Sequence, residues 1–289
     1  MIGLQRSLEG FAPPALASRA LPCASLLFPG VFSDEEKEAL KDAASLPRSI
    51  RPNVDLAREG NCCDSLLIIA AGWACRYTIT REGARQLPVV LVPGDVGNLD
   101  TLAFDRIDYG VRTITASTVV AFPKHRILAL CEKYPGISRA FTRLALIENA
   151  RLTRWTLSLA RRSARERLAH LICELSVRLD ADDGNKSQFL LPLTQEQIGD
   201  ALGLTAVHVN RTMQRLRADG LVMTTDRHIT VPDVAQLRRT CGFDPTYLHP
   251  DQALRSHAAE PPTVTEQENL EHDRQASGSR VFDNSGASR

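Results

Sequence analysis

The stretch "LTQEQIGDALGLTAVHVNRTMQRLRADGLV", residues 193–222, decides how the chain folds. Ile198, Ala201 and Leu202 fall on one face of a helix. Thr194, with Gln197 three residues later, forms a capping box that can satisfy the free N–H groups at that helix's start. Gly203 then stands where a left-handed residue ends a helix. A second helical pattern runs through Val207, Val209, Met213 and Leu216. Two short helices joined through a glycine turn predict a helix-turn-helix.

The outward side of the second helix carries Thr205, His208, Asn210, Arg211, Gln214 and Arg215, donors and acceptors suited to base edges in a major groove. After it, "ADGLVMTTDRHITVPD" (218–233) changes from helical period to alternation, with Leu221, Met223, Ile229 and Val231 flanking a polar tip at Asp226 and Arg227. That predicts a hairpin wing. Any pair of short amphipathic helices can imitate the helical part; cap, glycine, polar face and wing in sequence point to DNA.

Charge does not supply that affinity globally. Lys plus Arg number 35 against 34 Asp plus Glu in 289 residues, so binding must rest on placed arginines. Arg151, Arg154, Arg161, Arg162, Arg165 and Arg167 cluster ahead of the motif, and Arg211, Arg215 and Arg217 lie in it. A solvated helix face with pairs such as Arg162 and Glu166 is the plainer account of several of them.

A second block, residues 50–122, is β-rich. "RPNVDLAREGN", "DSLLIIAAGWACRYTIT", "RQLPVVLVPGDVGN" and "GVRTITASTVVAFP" are short runs separated by Gly, Asn and Asp turns, which predicts an antiparallel roll able to enclose a small ligand. Helical pattern resumes near Pro123 and continues through Leu159, with Phe141, Leu144, Ile147, Leu152 and Trp155 spread round more than one face. One face would pack on the roll and another on a second copy, and a two-fold dimer suits paired half-sites. The expected class is therefore α+β: an N-terminal antiparallel β-roll, a jelly roll or barrel, then a long dimerisation helix and a C-terminal winged helix-turn-helix. The expected bounds are a flexible arm at 1–27, the roll at 28–130, the long helix at 131–160, the DNA-binding unit at 161–243 and a disordered tail at 244–289.

No apolar run is long enough to span a bilayer, and Glu9 with Pro13 and Pro14 breaks any secretory core, so a cytoplasmic location is expected. The seven cysteines are then reduced, and none forms a CxxC pair that would signal a metal or iron-sulfur site. Cys75 and Cys173 read as core packing, whereas adjacent Cys62 and Cys63 sit in a turn and are the redox candidates. GxSxG, HExxH and GxxxxGK[ST] are all absent, so no catalytic residue is assigned and the chain reads as no enzyme. A nucleotide-binding regulatory module acting on a protein partner competes with the regulator reading, but it gives the polar helix no task.

Taken together, the roll ending in "VPGDVGN" and "RTITAST", the long helix, "RRSARERLAHLICEL" and the helix-turn-helix resemble the bacterial cyclic-AMP receptor and fumarate-nitrate regulator (Crp/Fnr) family over roughly residues 28–240. The resemblance implies that the roll is a jelly roll like the cyclic-nucleotide-binding domain, and that the chain is a homodimer that recognises palindromic double-stranded DNA and acts on RNA polymerase. Arg211 matches the family's guanine-reading arginine, a role its bidentate fork suits. Ala206 and Val207 stand where the family often has arginine or serine and glutamate, so His208 and Asn210 would share the reading. Thr194 and Thr205 would meet phosphates.

The resemblance thins at the effector. Cyclic-nucleotide binders of the family hold ribose with Gly-Glu and phosphate with Arg-Ser; here Leu99 takes the glutamate position and Gly110 and Val111 the Arg-Ser positions. Pocket candidates are Gly94, Asp95, Asn98, Leu99, Arg112 and Thr113, and their chemistry speaks against cyclic AMP. Only Cys23 lies in the arm where iron-sulfur members cluster cysteines, which speaks against that cofactor too.

Overall fold

The computed structural model describes residues 32–249, so the expected arm with Cys23, and the tail beyond 249, lie outside the described residues. Helix α1 (Asp34–Ala43) begins with a capping box of Ser33 and Glu36 and buries Leu40 and Ala43. Seven strands follow: β1 (Arg48–Ile50), β2 (Asp55–Ala57), β3 (Ser65–Ala71), β4 (Ala74–Ile79), β5 (Arg85–Leu91), β6 (Gly110–Thr113) and β7 (Ser117–Pro123). They form two antiparallel sheets, ordered β1-β7-β3 and β2-β6-β4-β5.

The period-2 pattern decides which side chains meet. Along β3, Leu66 and Ile68 point to a core shared with α1, while Ile69 points to a core between the sheets with Ala74, Val89, Leu91, Val111 and Val119. Helix α2 (Lys124–Lys133) and the 27-residue helix α3 (Pro135–Arg161) then cover the β1-β7-β3 sheet through Ile127, Ile137, Ala140 and Phe141.

Helix α4 (Ala164–Arg178) starts at a second capping box, Ser163 with Glu166, and buries its middle completely. Strand β8 (Ser187–Leu190), helices α5 (Gln195–Leu202) and α6 (Ala206–Ala218), strands β9 (Met223–Thr225) and β10 (His228–Val231) and helix α7 (Val234–Cys241) complete a three-stranded winged helix-turn-helix, ordered β8-β10-β9. Its core is continuous with the outer face of the β2-β6-β4-β5 sheet: Trp73, Leu87, Val90 and Ile114 join Leu171, Ile172, Val209 and Leu216 in one buried cluster. The roll and the DNA-binding unit therefore share packing rather than meeting across a linker.

The expected tail boundary at 244 needs correction. Pro245–Leu248 forms a 3-10 turn whose Tyr247 is buried, donating its hydroxyl to Glu174 at 2.8 Å. His170 lies between Phe243 and Tyr247, edge-on to the first and stacked on the second. Burial, helped by Arg162 and Arg154 and opposed by Glu174, pushes the His170 imidazole down to about 4. Because the folded value lies below the unfolded one near 6.5, the unfolded chain takes up a proton that the native state refuses, and stability falls as pH drops from 6.5 toward 4. We expect a loss of roughly 2 kcal/mol by pH 5 from this group, read by urea unfolding; His170→Phe, which keeps a ring, should remove that share. Equal acid sensitivity in both proteins would refute the assignment.

Candidate nucleic-acid interface

The site begins with two caps. Thr194 and Gln197 form the expected capping box at α5, with Thr194 Oγ1 accepting from the Gln197 N–H at 3.1 Å and Gln197 Oε1 accepting from the Thr194 N–H at 2.9 Å. Gly203 ends α5 at φ 64°, and Gly199 lets Leu204 turn close: a Cβ there would lie 2.4 Å from the Leu204 carbonyl oxygen. Thr205 caps α6 by accepting from the His208 N–H at 3.2 Å, so its hydroxyl has a structural bond beside its proposed phosphate role.

Helix α6 buries Val209, Thr212, Met213 and Leu216. Val207, placed by sequence in the apolar pattern, is instead 68% exposed, because at 100° per residue it lies about 160° round the helix from Val209; Thr212 faces inward and ties its hydroxyl to the His208 carbonyl. Ala206, Val207, His208, Asn210, Arg211, Gln214 and Arg215 all face outward. Among the described residues, neither Arg211 nor Arg215 meets a carboxylate. The tip of the wing is the two-residue turn Asp226–Arg227, both at positive φ as a tight hairpin requires. An open cleft of about 500 Å³ runs between helix and wing, lined by Gln214, Arg217, Ala218, Val222, Met223 and Thr224.

The arginines ahead of the motif divide. Arg151 is buried in an ion pair with Glu174, Arg167 donates to the Arg162 and Leu202 carbonyls, and Arg165 pairs with Asp219. For Arg151 and Arg167, then, the clustered basic charge is internal scaffolding and not a phosphate-facing surface.

Of the pocket candidates, Arg112 and Thr113 line a common cavity, while Gly94, Asp95, Asn98 and Leu99 are placed in a turn, an ion pair and the core. Asp95 pairs with Arg178 of α4 and accepts from the Val92 N–H, Asn98 is fully buried and bonded to Leu67, Ser65 and Thr101, and Leu99 is core. Gly94 forms a turn at φ 96°. Arg112 is held bidentate by Asp55 over the Tyr77 ring, and Thr113 bonds the Arg51 carbonyl. Beside Arg112 and Tyr77, a cavity of about 30 Å³ reaches Gln197 of α5, room for about one water.

Sequence reading missed what lies between roll and long helix. Arg76 of β4 donates to the Val96 and Gly97 carbonyls, grips Glu148 of α3 through two 3.0 Å bonds and lies over the Tyr109 ring. It also missed the hub at Glu174, whose carboxylate accepts from Trp155 of α3 at 2.9 Å, from Tyr247 and from Arg178. Burial alone would raise this carboxyl, but Arg151 and Arg178 outweigh it and hold it below its usual value. Buried charges called for partners, and only the three-dimensional fold reveals them.

The expected seam residues divide. Phe141 is buried in the roll core and Trp155 in the DNA-binding core, because each faces the rest of its own chain. Leu144 packs partly on the roll core. Ile147 is half-buried and Leu152 is exposed at 41%, while Leu146 and Leu157, not in the expected set, share an outward face.

Cys62 and Cys63 have different partners: the exposed Cys62 thiol donates to Asp64, whose charge pushes it up from its usual value, while Cys63 lies against Asn98 and donates to the Ser65 carbonyl. A raised thiol works against redox reactivity at Cys62. Among the described residues, no group of three His, Cys, Asp or Glu could hold a metal ion, and no helix is long and apolar enough to cross a membrane.

Comparison with known proteins agrees with this architecture. The family model for the cyclic nucleotide-binding domain matches residues 47–134, and that for the Crp-like helix-turn-helix domain matches residues 166–240. The chain is 27% identical to the anaerobic regulatory protein of Pasteurella multocida, over 77% of this chain and 82% of that one. It is 26% identical to the fumarate and nitrate reduction regulatory protein of Escherichia coli, over 75% and 87%. Among solved structures it is similar in fold to FixK2 from Bradyrhizobium japonicum, with TM-score 0.61 and 21% identity over 68% of this chain and 96% of that one.

Proposed function

The chain belongs to the Crp/Fnr family of transcriptional regulators, and from that premise we propose that it acts as a homodimer on palindromic promoter DNA. It is a DNA-binding regulator and not an enzyme. The observation that carries the proposal is the outward face of α6, where Asn210, Arg211, Gln214 and Arg215 stand exposed at helical spacing on a rigidly capped motif. Arg211 reads a guanine through O6 and N7, His208 and Asn210 read neighbouring bases, and Ala206 and Val207 offer apolar contact to a thymine methyl. Thr194, Thr205 and the wing tip meet phosphates. RNA polymerase is the downstream partner in this reading, as in the family at large.

Selection of bound duplexes from a random pool tests it: enrichment of an inverted repeat supports the dimeric reader, and absence of any enriched sequence overturns it. Arg211→Ala should cost about 1 to 3 kcal/mol on the selected site and relax preference at one base pair. An unchanged base preference would remove Arg211 from the reading role.

A further inference from the structure

The pair of thiols that the fold brings together is not the adjacent one. Cys173, in the middle of α4, and Cys241, the last residue of α7, are 68 residues apart in sequence, and their sulfurs stand 4.0 Å apart inside the DNA-binding unit. Both are free and buried, at 2% and 4% exposure. Cys241 donates to the Leu237 carbonyl, so the thiol proton between the two sulfurs belongs to Cys173. At its other side Cys241 adjoins the end of α7, where Gly242 is exposed in a left-handed cap. A helix end is the part of a helix that opens most readily, so local opening at Gly242 is the route by which a small oxidant would reach this sulfur.

We propose that Cys173 and Cys241 form a disulfide on exposure to a hydroperoxide, making the DNA-binding unit a site of reversible oxidation. The Cys241 sulfur attacks the peroxide, its S–O bond forming as the O–O bond breaks, and the thiol proton leaves with the displaced hydroxide as water. Cys173 then attacks the sulfenic sulfur, expelling hydroxide that takes the Cys173 proton as a second water. Two thiols lose two electrons in all, and one hydrogen peroxide becomes two waters. The order follows from the hydrogen bond: the Cys173 thiol holds Cys241 below its usual value and is itself pushed up by the same contact, so Cys241 is the better first nucleophile. Bond formation needs the sulfurs to close to about 2.05 Å, a movement that side-chain rotation and a small approach of α7 to α4 can supply.

The consequence is mechanical. Helix α7 joins wing strand β10 to the segment carrying Tyr247, and α4 carries Glu174. A bond between them clamps wing and hub to the same helix, and in the closed loop it should raise the melting temperature of the DNA-binding unit by on the order of 10 °C.

The test uses the full chain and no DNA, so it stands apart from the regulator reading. The reduced protein is treated with hydrogen peroxide, quenched in acid, alkylated under denaturing conditions, digested and weighed. We expect a linked Cys173–Cys241 peptide, restored to two alkylated peptides by prior dithiothreitol, and no linked peptide in Cys241→Ser, where Cys173 stays alkylatable. Cys62→Ser should leave the link intact. Recovery of both cysteines as free thiols after Cys62 has oxidised, or of Cys241 as sulfinic acid with Cys173 still free, would overturn the proposal.

Discussion

Glu174→Ala is expected to destabilise the chain by about 3 to 5 kcal/mol, the range for removing one partner of a buried ionic group. The substitution leaves Arg151 and Arg178 buried beside each other with one carboxylate fewer, and strands the Trp155 indole N–H and the Tyr247 hydroxyl. Arg178 retains Asp95, so the roll side of the hub survives, and the damage concentrates where α3, α4 and the C-terminal turn meet. Glu174→Gln separates the two contributions: its amide oxygen can still accept from Trp155 or Tyr247, but the charge facing two guanidiniums is gone. It should fall between the parent and the alanine variant. Urea unfolding of the full chain measures all three. A cost below about 1 kcal/mol for Glu174→Ala would mean that water relaxes into the hub and that it does not fasten the DNA-binding unit.

This hub shows what a sequence discloses and what it does not. The helix-turn-helix was legible because its determinants are local: a capping box at Thr194 and Gln197, a left-handed Gly203, and a wing turn at Asp226 and Arg227 all lie within a few residues of the structure they specify. The roll was legible for the same reason, through alternation and turns. Strand β8 was missed because four residues, Ser187–Leu190, carry too short a pattern. Glu174 was hidden by distance, its partners coming from Trp155 on one side and Tyr247 on the other. Tyr247 in turn sits in a polar stretch whose composition predicts a tail, and only its docking against α4 orders it. The pocket candidates show the same limit: position relative to a motif located Asp95 and Arg112 on the roll but could not reveal that Arg178 and Asp55 engage them.

Periodicity also states how many apolar faces a helix has without saying what covers each, and the long helix depends on that difference. Turning 100° per residue, α3 sets Phe141, Trp155 and Ser158 toward its own protomer, and carries Leu146, Asn149, Thr153, Thr156, Leu157 and Ala160 round the opposite side. On this side Leu146 is 65% exposed and Leu157 44%, within about 20° of each other round the helix, while Leu152, 41% exposed, lies on its flank; large apolar side chains left open in this way mark a face that meets a partner. At 27 residues the helix is about 40 Å long, enough for a parallel seam with a second copy. Leu146→Glu should therefore split the dimer: two-fold symmetry sets two carboxylates into the seam at once, and we expect dimer affinity to fall roughly a thousandfold. Its side chain touches little in its own protomer, so circular dichroism and melting of the separated chains should stay close to the parent. Phe141→Glu is the contrast, since it places charge in the roll core and should unfold that domain rather than merely part the copies. Light scattering reads the mass directly. A Leu146→Glu protein that keeps the dimer mass at micromolar concentration would move the interface off α3, and with it the geometry by which two α6 helices reach successive major grooves.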